Sequence, residues 1–206
     1  MENKIILVDN ADNEIGYGDK IDVHIKAQLH RAFSVFIFDS TSHRMLIQRR
    51  ALGKYHSGGL WSNACCSHPK KGEAMEDAIN DRLKEELGFN SKLYIEMPTK
   101  ENLQQGSSNT IYSCGKFRYC ANFENLSENE IDHVYLYSPI NKVFSSKDFC
   151  LNPNEVLEIK WISIDDLMEW LDDRPQDFSA WFKSAFKLAY DVLCMQESAQ
   201  ENCQLR

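Results

Sequence analysis

Short apolar runs in the first part of the chain predict β-strands. Ile5–Val8 and Ala32–Phe38 show this pattern, and Arg44–Gln48 follows the second run after a polar link. The link is short enough for these last two runs to form a hairpin. Trp61–Cys66 is a further extended candidate, so we expect a sheet to begin in this region.

The second half of the chain adds further strand candidates. Thr110–Tyr119 and Ile131–Ser138 lie on either side of Glu128-Asn129-Glu130. Val156–Ile162 alternates between apolar and polar residues, as expected for a strand with one buried face. Together with the first strands, these runs predict a mixed sheet.

Helical periodicity is clearest at Glu73–Leu87, where acidic residues begin the segment and Gly88 ends it. Its apolar stripe consists of Ala74, Ala78, Ile79, Leu83 and Leu87. Asp165–Leu171 predicts a short helix, and Phe178–Cys194 predicts a longer amphipathic helix that carries Trp181.

Two segments lack periodicity and are expected to be irregular: Ser91–Asn109 and Ser145–Pro153. No internal repeat or linker divides the chain. The sequence therefore predicts one α/β (α+β) domain over residues 1–195, followed by a disordered tail over residues 196–206.

Composition narrows the possible partners. The 206 residues contain 23 basic and 31 acidic side chains, a net charge of −8, which argues against general nucleic-acid binding. The net charge does not exclude an anionic ligand, because basic residues bracket the Cys-His segment; they are Arg49, Arg50, Lys54, Lys70 and Lys71.

The cysteine pattern and the hydropathy of the chain favour a cytoplasmic protein. Seven cysteines form no regular framework, no secretory apolar region opens the sequence, and no apolar run approaches the ~20 residues of a membrane span. We expect reduced thiols in a cytoplasmic protein that does not enter a membrane.

Glu128 and Glu130 are two positions apart, so an extended backbone directs both carboxylates to one face. Two carboxylates this close repel each other unless a cation lies between them, which favours a divalent metal site. The alternative is an acidic surface loop.

His24, His30 and His68 lie in separate segments and could complete such a site. Imidazoles combined with carboxylates suit Mn²⁺, Fe²⁺ or Zn²⁺ better than Mg²⁺. Each histidine could instead be structural. The other three histidines have no partner that the sequence identifies; they are His43, His56 and His133.

Cys65 and Cys66 are adjacent, so on a strand only one thiol can face a site. Cysteine is often a small core residue, and both could be buried for that reason. A thiol beside a cation and basic side chains could instead take part in proton transfer.

The segment from Glu73 to Gly88, which contains Glu85-Glu86-Leu87-Gly88, resembles the Nudix box, in which helical carboxylates hold Mg²⁺ against a diphosphate. It departs from that pattern because Ser67 replaces the opening glycine and Asp81-Arg82 stands where Arg-Glu is expected. These departures argue against ordinary pyrophosphate hydrolysis.

Nearly the whole chain, from about residue 5 to residue 190, resembles the type 1 isopentenyl-diphosphate isomerase family. The resemblance rests on His30-Arg31-Ala32-Phe33-Ser34, Gln48-Arg49-Arg50, Trp61-Ser62-Asn63-Ala64-Cys65-Cys66-Ser67-His68-Pro69, Glu85-Glu86-Leu87-Gly88, Glu128-Asn129-Glu130 and the region from Pro175 to Phe182. It implies a Nudix-like mixed β-sheet sandwiched by helices. It also implies interconversion of isopentenyl and dimethylallyl diphosphate through a tertiary carbocation, in isoprenoid precursor biosynthesis.

The resemblance also implies roles for individual residues. Cys66 matches the catalytic thiol, which lies two positions before His68, and Glu130 matches the second acid/base group, with Tyr119 nearby. Trp181 matches an aromatic wall that could stabilise the cation, although it could also be a core residue. The residues that match the ligands of a divalent metal (Mn²⁺, Mg²⁺ or Zn²⁺) are His24, His30, His68, Glu128 and Glu130.

The remaining implied roles concern the diphosphate. Glu86 and the backbone carbonyl of Cys66 match groups that help a separate Mg²⁺ hold it. The residues that match positions on the diphosphate side are Lys20, Arg50, Lys54, Ser67 and Arg82. The implied partner is a homoallylic or allylic diphosphate bound to a monomer or homodimer, with no nucleic acid and no membrane.

Two other functions remain as alternatives. A Nudix-type diphosphate hydrolase would share the fold and Mg²⁺ but would need neither the thiol nor a histidine-rich metal site. A catalytically silent metal-binding or ligand-binding module would not be expected to keep Cys66 and Glu130.

Overall fold

The computed structural model describes the backbone of residues 4–204 and the side chains of residues 4–201. The strands are β1 (Lys4–Val8), β2 (Glu14–Asp19), β3 (His30–Asp39), β4 (Arg44–Arg50), β5 (Trp61–Ser62), β6 (Cys65–Ser67), β7 (Tyr94–Glu96), β8 (Thr110–Asn122), β9 (Ser127–Tyr137) and β10 (Val156–Ser163). The helices are α1 (Lys20–Ile25), α2 (Met75–Leu87), α3 (Lys100–Gln105), α4 (Ile164–Asp173) and α5 (Phe182–Gln204).

The strands form one mixed sheet with the order β10-β4-β3-β9-β8-β7. Its centre is the parallel pair β3–β9, whereas β8–β9 and β4–β10 are antiparallel. Strand β3 also pairs with β1 and with β6, so it contacts several of the segments that carry candidate site residues.

Helices cover both faces of the sheet, and β3 shows why. Phe36 and Phe38 belong to an apolar cluster with residues of α4 and α5, whereas Val35 and Ile37 belong to a second cluster with residues of α2. A strand buried on both faces needs an almost continuous apolar sequence, as β3 has. The predicted mixed α/β fold, with a sheet between helices, is confirmed.

Helix α2 begins at Met75, two residues later than expected, and its end agrees with the sequence. Gly88 adopts a left-handed conformation (φ 66°), and its amide donates to the carbonyls of Leu83 and Lys84. Only glycine fits easily here, because a Cβ would meet Cys150 at 2.6 Å.

The last helix differs from expectation at both ends. It begins at Phe182, so Trp181 lies immediately before the helix and not on it. It continues to Gln204, where a disordered tail from residue 196 was expected. Within this extension the Gln196 side chain donates to the Ser138 carbonyl (2.9 Å), and Ala199 is buried.

The segments expected to be irregular contain short elements that periodicity did not reveal. Ser91–Asn109 includes β7 and α3, and Thr99 caps α3 through a capping box with Asn102. Strand β2 and helix α1 were also missed. The Glu-Asn-Glu segment lies inside β9 instead of preceding it.

Among the described residues, no helix is both long and apolar enough to cross a membrane.

Candidate active site

Strand register brings three candidate residues into one row across the sheet. Glu130 of β9 pairs with Tyr119 of β8 on one side and with His30 of β3 on the other. Because side chains alternate along a strand, Glu128 and Asp132 point to the same face of β9 as Glu130. All three carboxyl side chains line one pocket, as the spacing of Glu128 and Glu130 predicts.

His24 and His30 are each oriented by a backbone carbonyl that contacts Nδ1, which leaves Nε2 available to a ligand. His24 Nδ1 contacts the Lys20 carbonyl at 2.5 Å, and His30 Nδ1 contacts the Gln28 carbonyl at 2.8 Å. A ring nitrogen facing a carbonyl must donate, so in a neutral ring Nε2 keeps a lone pair. His24 Nε2 is buried without a partner, which suits a metal ligand supported by a backbone carbonyl.

Glu130 lies where the histidines meet. Its Oε1 is 3.1 Å from His30 Nε2 and 2.8 Å from His68 Nε2. The nitrogens of the three histidines and a Glu130 oxygen all lie within 4.8 Å of one another; the residues are His24, His30, His68 and Glu130. The group could hold a divalent metal, because nitrogen and carboxylate donors converge on a small buried volume.

The electrostatics of this group agree with a metal site. Burial lowers the pKa of His24 to about 4 and lowers the pKa of His68 well below its usual value, so both rings are neutral. Burial opposes protonation of His30, but its hydrogen bond to Glu130 and the charge of that carboxylate outweigh burial and raise the His30 pKa. Burial likewise opposes ionisation of Glu130, but the hydrogen bonds from His30 and His68 and the charge of His30 hold the Glu130 pKa well below its usual range. Metal binding requires neutral imidazoles and an ionised carboxylate, so His30 would release a proton when a metal binds.

Glu128 lies beside this group and is held by other residues. Its Oε1 is 4.0 Å from His24 Nε2 and only 2.6 Å from His56 Nε2. Its Oε2 accepts a hydrogen bond from the Tyr119 hydroxyl, which is also 2.8 Å from Glu130 Oε2. The structure therefore brings together four of the expected metal ligands and places Glu128 next to them.

The adjacent cysteines face opposite sides of β6. Cys66 lines the pocket opposite Ser34 of β3, whereas Cys65 is packed with the apolar residues beneath α2. Burial raises the Cys66 pKa to about 12, although Arg50, whose Nη1 lies 3.4 Å from the sulfur, acts in the opposite direction. The thiol at Cys66 is therefore protonated in the described environment.

Trp181 forms part of the pocket wall. Its Nε1 donates to Asn63 Oδ1 at 2.9 Å, and its ring centroid is 6.2 Å from that of Tyr119. The Arg50 guanidinium lies 5.2 Å from the Trp181 ring centroid. The indole is thus both buried and positioned to interact with a cation.

The residues implied for the diphosphate all line this pocket; they are Lys20, Arg50, Lys54, Ser67 and Arg82. Burial, together with the charges of Arg82 and Lys54, lowers the pKa of Lys20. Glu155 contacts both Lys54 and Arg82 and balances part of their charge. Crowded cations in one pocket favour an anionic ligand.

Glu86 is engaged by protein side chains. Its Oε1 accepts from Arg82 Nε (3.0 Å) and Nη2 (2.6 Å), and its Oε2 accepts from Gln48 (3.0 Å). A cation at Glu86 would have to displace or share these contacts. The diphosphate-bound Mg²⁺ therefore stays a prediction.

Sequence reasoning assigned no role to several pocket residues, among them His56 and Asp132. His56 contacts Glu128, and nothing in the local sequence indicates this long-range partner. Asp132 could have been found, because it continues the period-two pattern of the two glutamates. Its Oδ2 accepts from the Ser34 hydroxyl at 2.7 Å, and its Oδ1 is buried without a partner.

Comparison with known proteins agrees with this geometry. The NUDIX domain family matches residues 28–182. The isopentenyl-diphosphate Delta-isomerase of Burkholderia multivorans is 42% identical over 183 residues, which cover 88% of this chain and 90% of the relative. A protein of the same name from Serratia proteamaculans is 40% identical over 188 residues, covering 91% of each chain.

Solved structures support the fold. A Deinococcus radiodurans protein superposes with a TM-score of 0.61 at 16% identity, covering 90% of this chain and 96% of the other. A MutT protein from Methanosarcina mazei gives a TM-score of 0.53 at 16% identity, covering 77% of this chain and 91% of the other. From the family match, the relatives and the shared fold, we conclude that this chain belongs to the isopentenyl-diphosphate Delta-isomerase family and has a NUDIX domain.

Proposed function

We propose that this protein interconverts isopentenyl diphosphate and dimethylallyl diphosphate. The observation that carries the proposal is one pocket with groups for both proton transfers. The Cys66 thiol lies on β6 and the Glu130–Tyr119 pair lies on β9 and β8, on opposite sides of β3. The names of relatives up to 42% identical support the same reaction.

The reaction needs two proton transfers and no net change in charge. A proton added to the terminal carbon of the alkene leaves a tertiary cation at the branched carbon. Loss of a proton from the neighbouring methylene then moves the double bond. One of the two groups, Cys66 or the Glu130–Tyr119 pair, donates the proton and the other accepts one, so both must be restored before the next turnover.

Pocket residues would protect and stabilise the cation. Trp181 offers an aromatic face, and attraction between a cation and such a face is worth about 2 kcal/mol when water is excluded. The Asn63 side chain holds the indole in place. Exclusion of water also prevents capture of the cation as an alcohol.

We assign the divalent metal site to His24, His30, His68 and Glu130, with Glu128 beside them as the fifth ligand. A metal bound there would supply positive charge that keeps the buried carboxylates ionised and in place. The chain itself orients the ligands, through the Lys20 carbonyl for His24 and the Gln28 carbonyl for His30. Elemental analysis of the purified protein tests which ion, Mn²⁺, Mg²⁺ or Zn²⁺, occupies the site.

Three cationic residues that line the pocket would bind the diphosphate: Lys20, Lys54 and Arg82. Mg²⁺ is the natural counterion for the remaining charge, with Glu86 and the Cys66 carbonyl as candidate ligands. We further propose a cytoplasmic enzyme that is active as a monomer or homodimer and binds no nucleic acid; light scattering of the purified protein tests the assembly state.

Incubation of the purified protein with isopentenyl diphosphate and Mg²⁺ tests the proposal. Dimethylallyl diphosphate should form until the two isomers reach equilibrium, and a chelator should stop the reaction. Release of inorganic phosphate or pyrophosphate without isomer would instead identify a Nudix-type hydrolase. A folded, metal-loaded protein that yields neither product would identify a silent binding module.

A further inference from the structure

His56 is buried in the segment that links β4 to β5. Only 7% of its surface is exposed, although the preceding Tyr55 is 40% exposed. The next residue, Ser57, has a positive φ of 51°, a conformation that non-glycine residues adopt only at a cost. The backbone therefore adopts a left-handed conformation immediately after His56, whose side chain lines the pocket.

The imidazole of His56 is held at both nitrogens. Nε2 lies 2.6 Å from Glu128 Oε1, and Nδ1 lies 3.2 Å from the Ser57 hydroxyl. The backbone is also held, because Arg50 Nη2 donates to the His56 carbonyl at 3.4 Å. When Ser57 donates to Nδ1, Nε2 carries a hydrogen that it can donate to the carboxylate.

Aromatic neighbours limit rotation of the same ring. Phe123 stacks on it with centroids 4.9 Å apart, and Tyr55 and Trp181 meet it edge-on at 4.5 Å and 5.9 Å. A side chain packed on these sides keeps its rotamer, and so does the hydrogen bond that it makes.

We propose that His56 is a positioning residue that orients Glu128 toward the histidine metal site. Tyr119 holds one oxygen of Glu128 and His56 holds the other, which leaves the carboxylate 4.0 Å from His24 Nε2. The inference rests on the proposed function only in taking Glu128 as a metal ligand. Groups that orient a ligand typically change metal affinity about 10–100-fold when removed.

Mn²⁺ titration of the metal-free protein tests this role without substrate, with free Mn²⁺ followed by its electron paramagnetic resonance signal. His56→Phe keeps a ring beside Phe123 and Trp181 but removes the donor, and should weaken Mn²⁺ binding about 10–100-fold. His56→Gln keeps a donor near the position of Nε2 and should bind Mn²⁺ within about threefold of wild type. His43→Asn is the matched control, because His43 lies in an exposed turn with a positive φ that asparagine tolerates, and it should leave affinity unchanged.

A double-mutant cycle separates positioning of Glu128 from general damage to the pocket. In a Glu128→Gln background, His56→Phe should change Mn²⁺ affinity by less than about twofold, because the carboxylate it orients is gone. If His56→Phe fails to fold, His56→Asn takes its place, since its amide is too short to reach Glu128.

The Mn²⁺ titrations can contradict the role of His56 in several ways. Wild-type Mn²⁺ affinity in His56→Phe, an equal loss in the Gln variant, or the same loss in the Glu128→Gln background would each overturn the role of His56. A wild-type protein that binds no Mn²⁺ would also overturn it. The predicted pattern in a protein that forms no isomer would support positioning by His56 and contradict the proposed reaction instead.

Discussion

Replacement of Trp181 by leucine tests how the pocket stabilises a cation. The indole is 3% exposed and borders the pocket that contains Cys66 and Glu130. If its ring attracts the carbocation, the attraction exists only near the transition state, so its loss lowers kcat and not substrate binding. A loss of about 2 kcal/mol corresponds to a decrease in kcat of about 30-fold.

The same substitution should also lower stability. Leucine fills less of the buried space than tryptophan, and the indole hydrogen bond to Asn63 is lost, although Asn63 Oδ1 still accepts from Ser62. We expect a loss of about 2–4 kcal/mol in the free energy of unfolding. For a chain of this size that corresponds to a decrease in Tm of about 5–15 °C.

The position of Arg50 allows an effect on substrate binding to be separated from an effect on the cation. Its guanidinium lies 5.2 Å from the Trp181 ring centroid, so loss of the ring could also displace a residue assigned to the diphosphate side. That displacement would raise KM, because the diphosphate is bound equally in the ground state and the transition state. A kcat decrease at nearly constant KM therefore reports on the cation, and Trp181→Phe should give an intermediate kcat.

Trp170 provides a matched control outside the pocket. Its Nε1 donates to Asp177 at 2.7 Å, and the Arg174 guanidinium lies 5.4 Å from its ring centroid, so its contacts resemble those of Trp181. Trp170→Leu should lower Tm with little change in kcat per folded molecule. Steady-state kinetics and melting curves for all variants distinguish stabilisation of the cation from core packing. A Trp181→Leu enzyme with near-normal kcat would refute the reasoning and leave the indole as core packing.

Three further predictions concern the thiol, the metal and acid stability. Cys66→Ala should abolish isomerisation while Cys65→Ala retains most of it, because only Cys66 lines the pocket; equal losses in folded variants would contradict this. Elemental analysis after dialysis should find a bound transition metal that His68→Ala loses, whereas a metal-free wild type active in chelator would rule the site out. Burial opposes ionisation of Asp12, but Lys116 and Arg31 outweigh it and lower the Asp12 pKa, so its ionised form stabilises the fold above the unfolded-state pKa and this contribution is lost as pH falls through the folded-state pKa. Chemical unfolding from pH 6 to pH 2 should therefore show a steeper loss of stability in wild type than in Asp12→Asn, and parallel curves would contradict the assignment.

Local sequence predicted those features of the site that depend on the pleat of a strand. A period of two is enough to direct Glu128 and Glu130 to one face and to separate Cys66 from Cys65, and the structure has these orientations. The main strands and α2 were also predictable, because long runs of apolar residues repeat with the period of the element they form.

Short elements were not predictable, because they contain too few residues to show a periodic pattern. Helix α1 has six residues and begins at the Asp19 side chain, which caps its first amides; this is too little sequence for a helical period to emerge. The end of α5 was misplaced because residues after Cys194 look polar, yet Gln196 and Ala199 are buried by tertiary contacts. Such contacts override local propensity.

The sequence by itself determined which chemical groups were available and which face of a strand each one occupies, because both follow from local covalent geometry. The tertiary structure alone decided which groups meet. It joins His24 to His68, pairs Glu86 with Gln48, and gives His56 a carboxylate partner 72 residues away at Glu128. These pairings depend on strand order and register, which arise when distant segments bury their apolar faces together, so no local pattern can encode them.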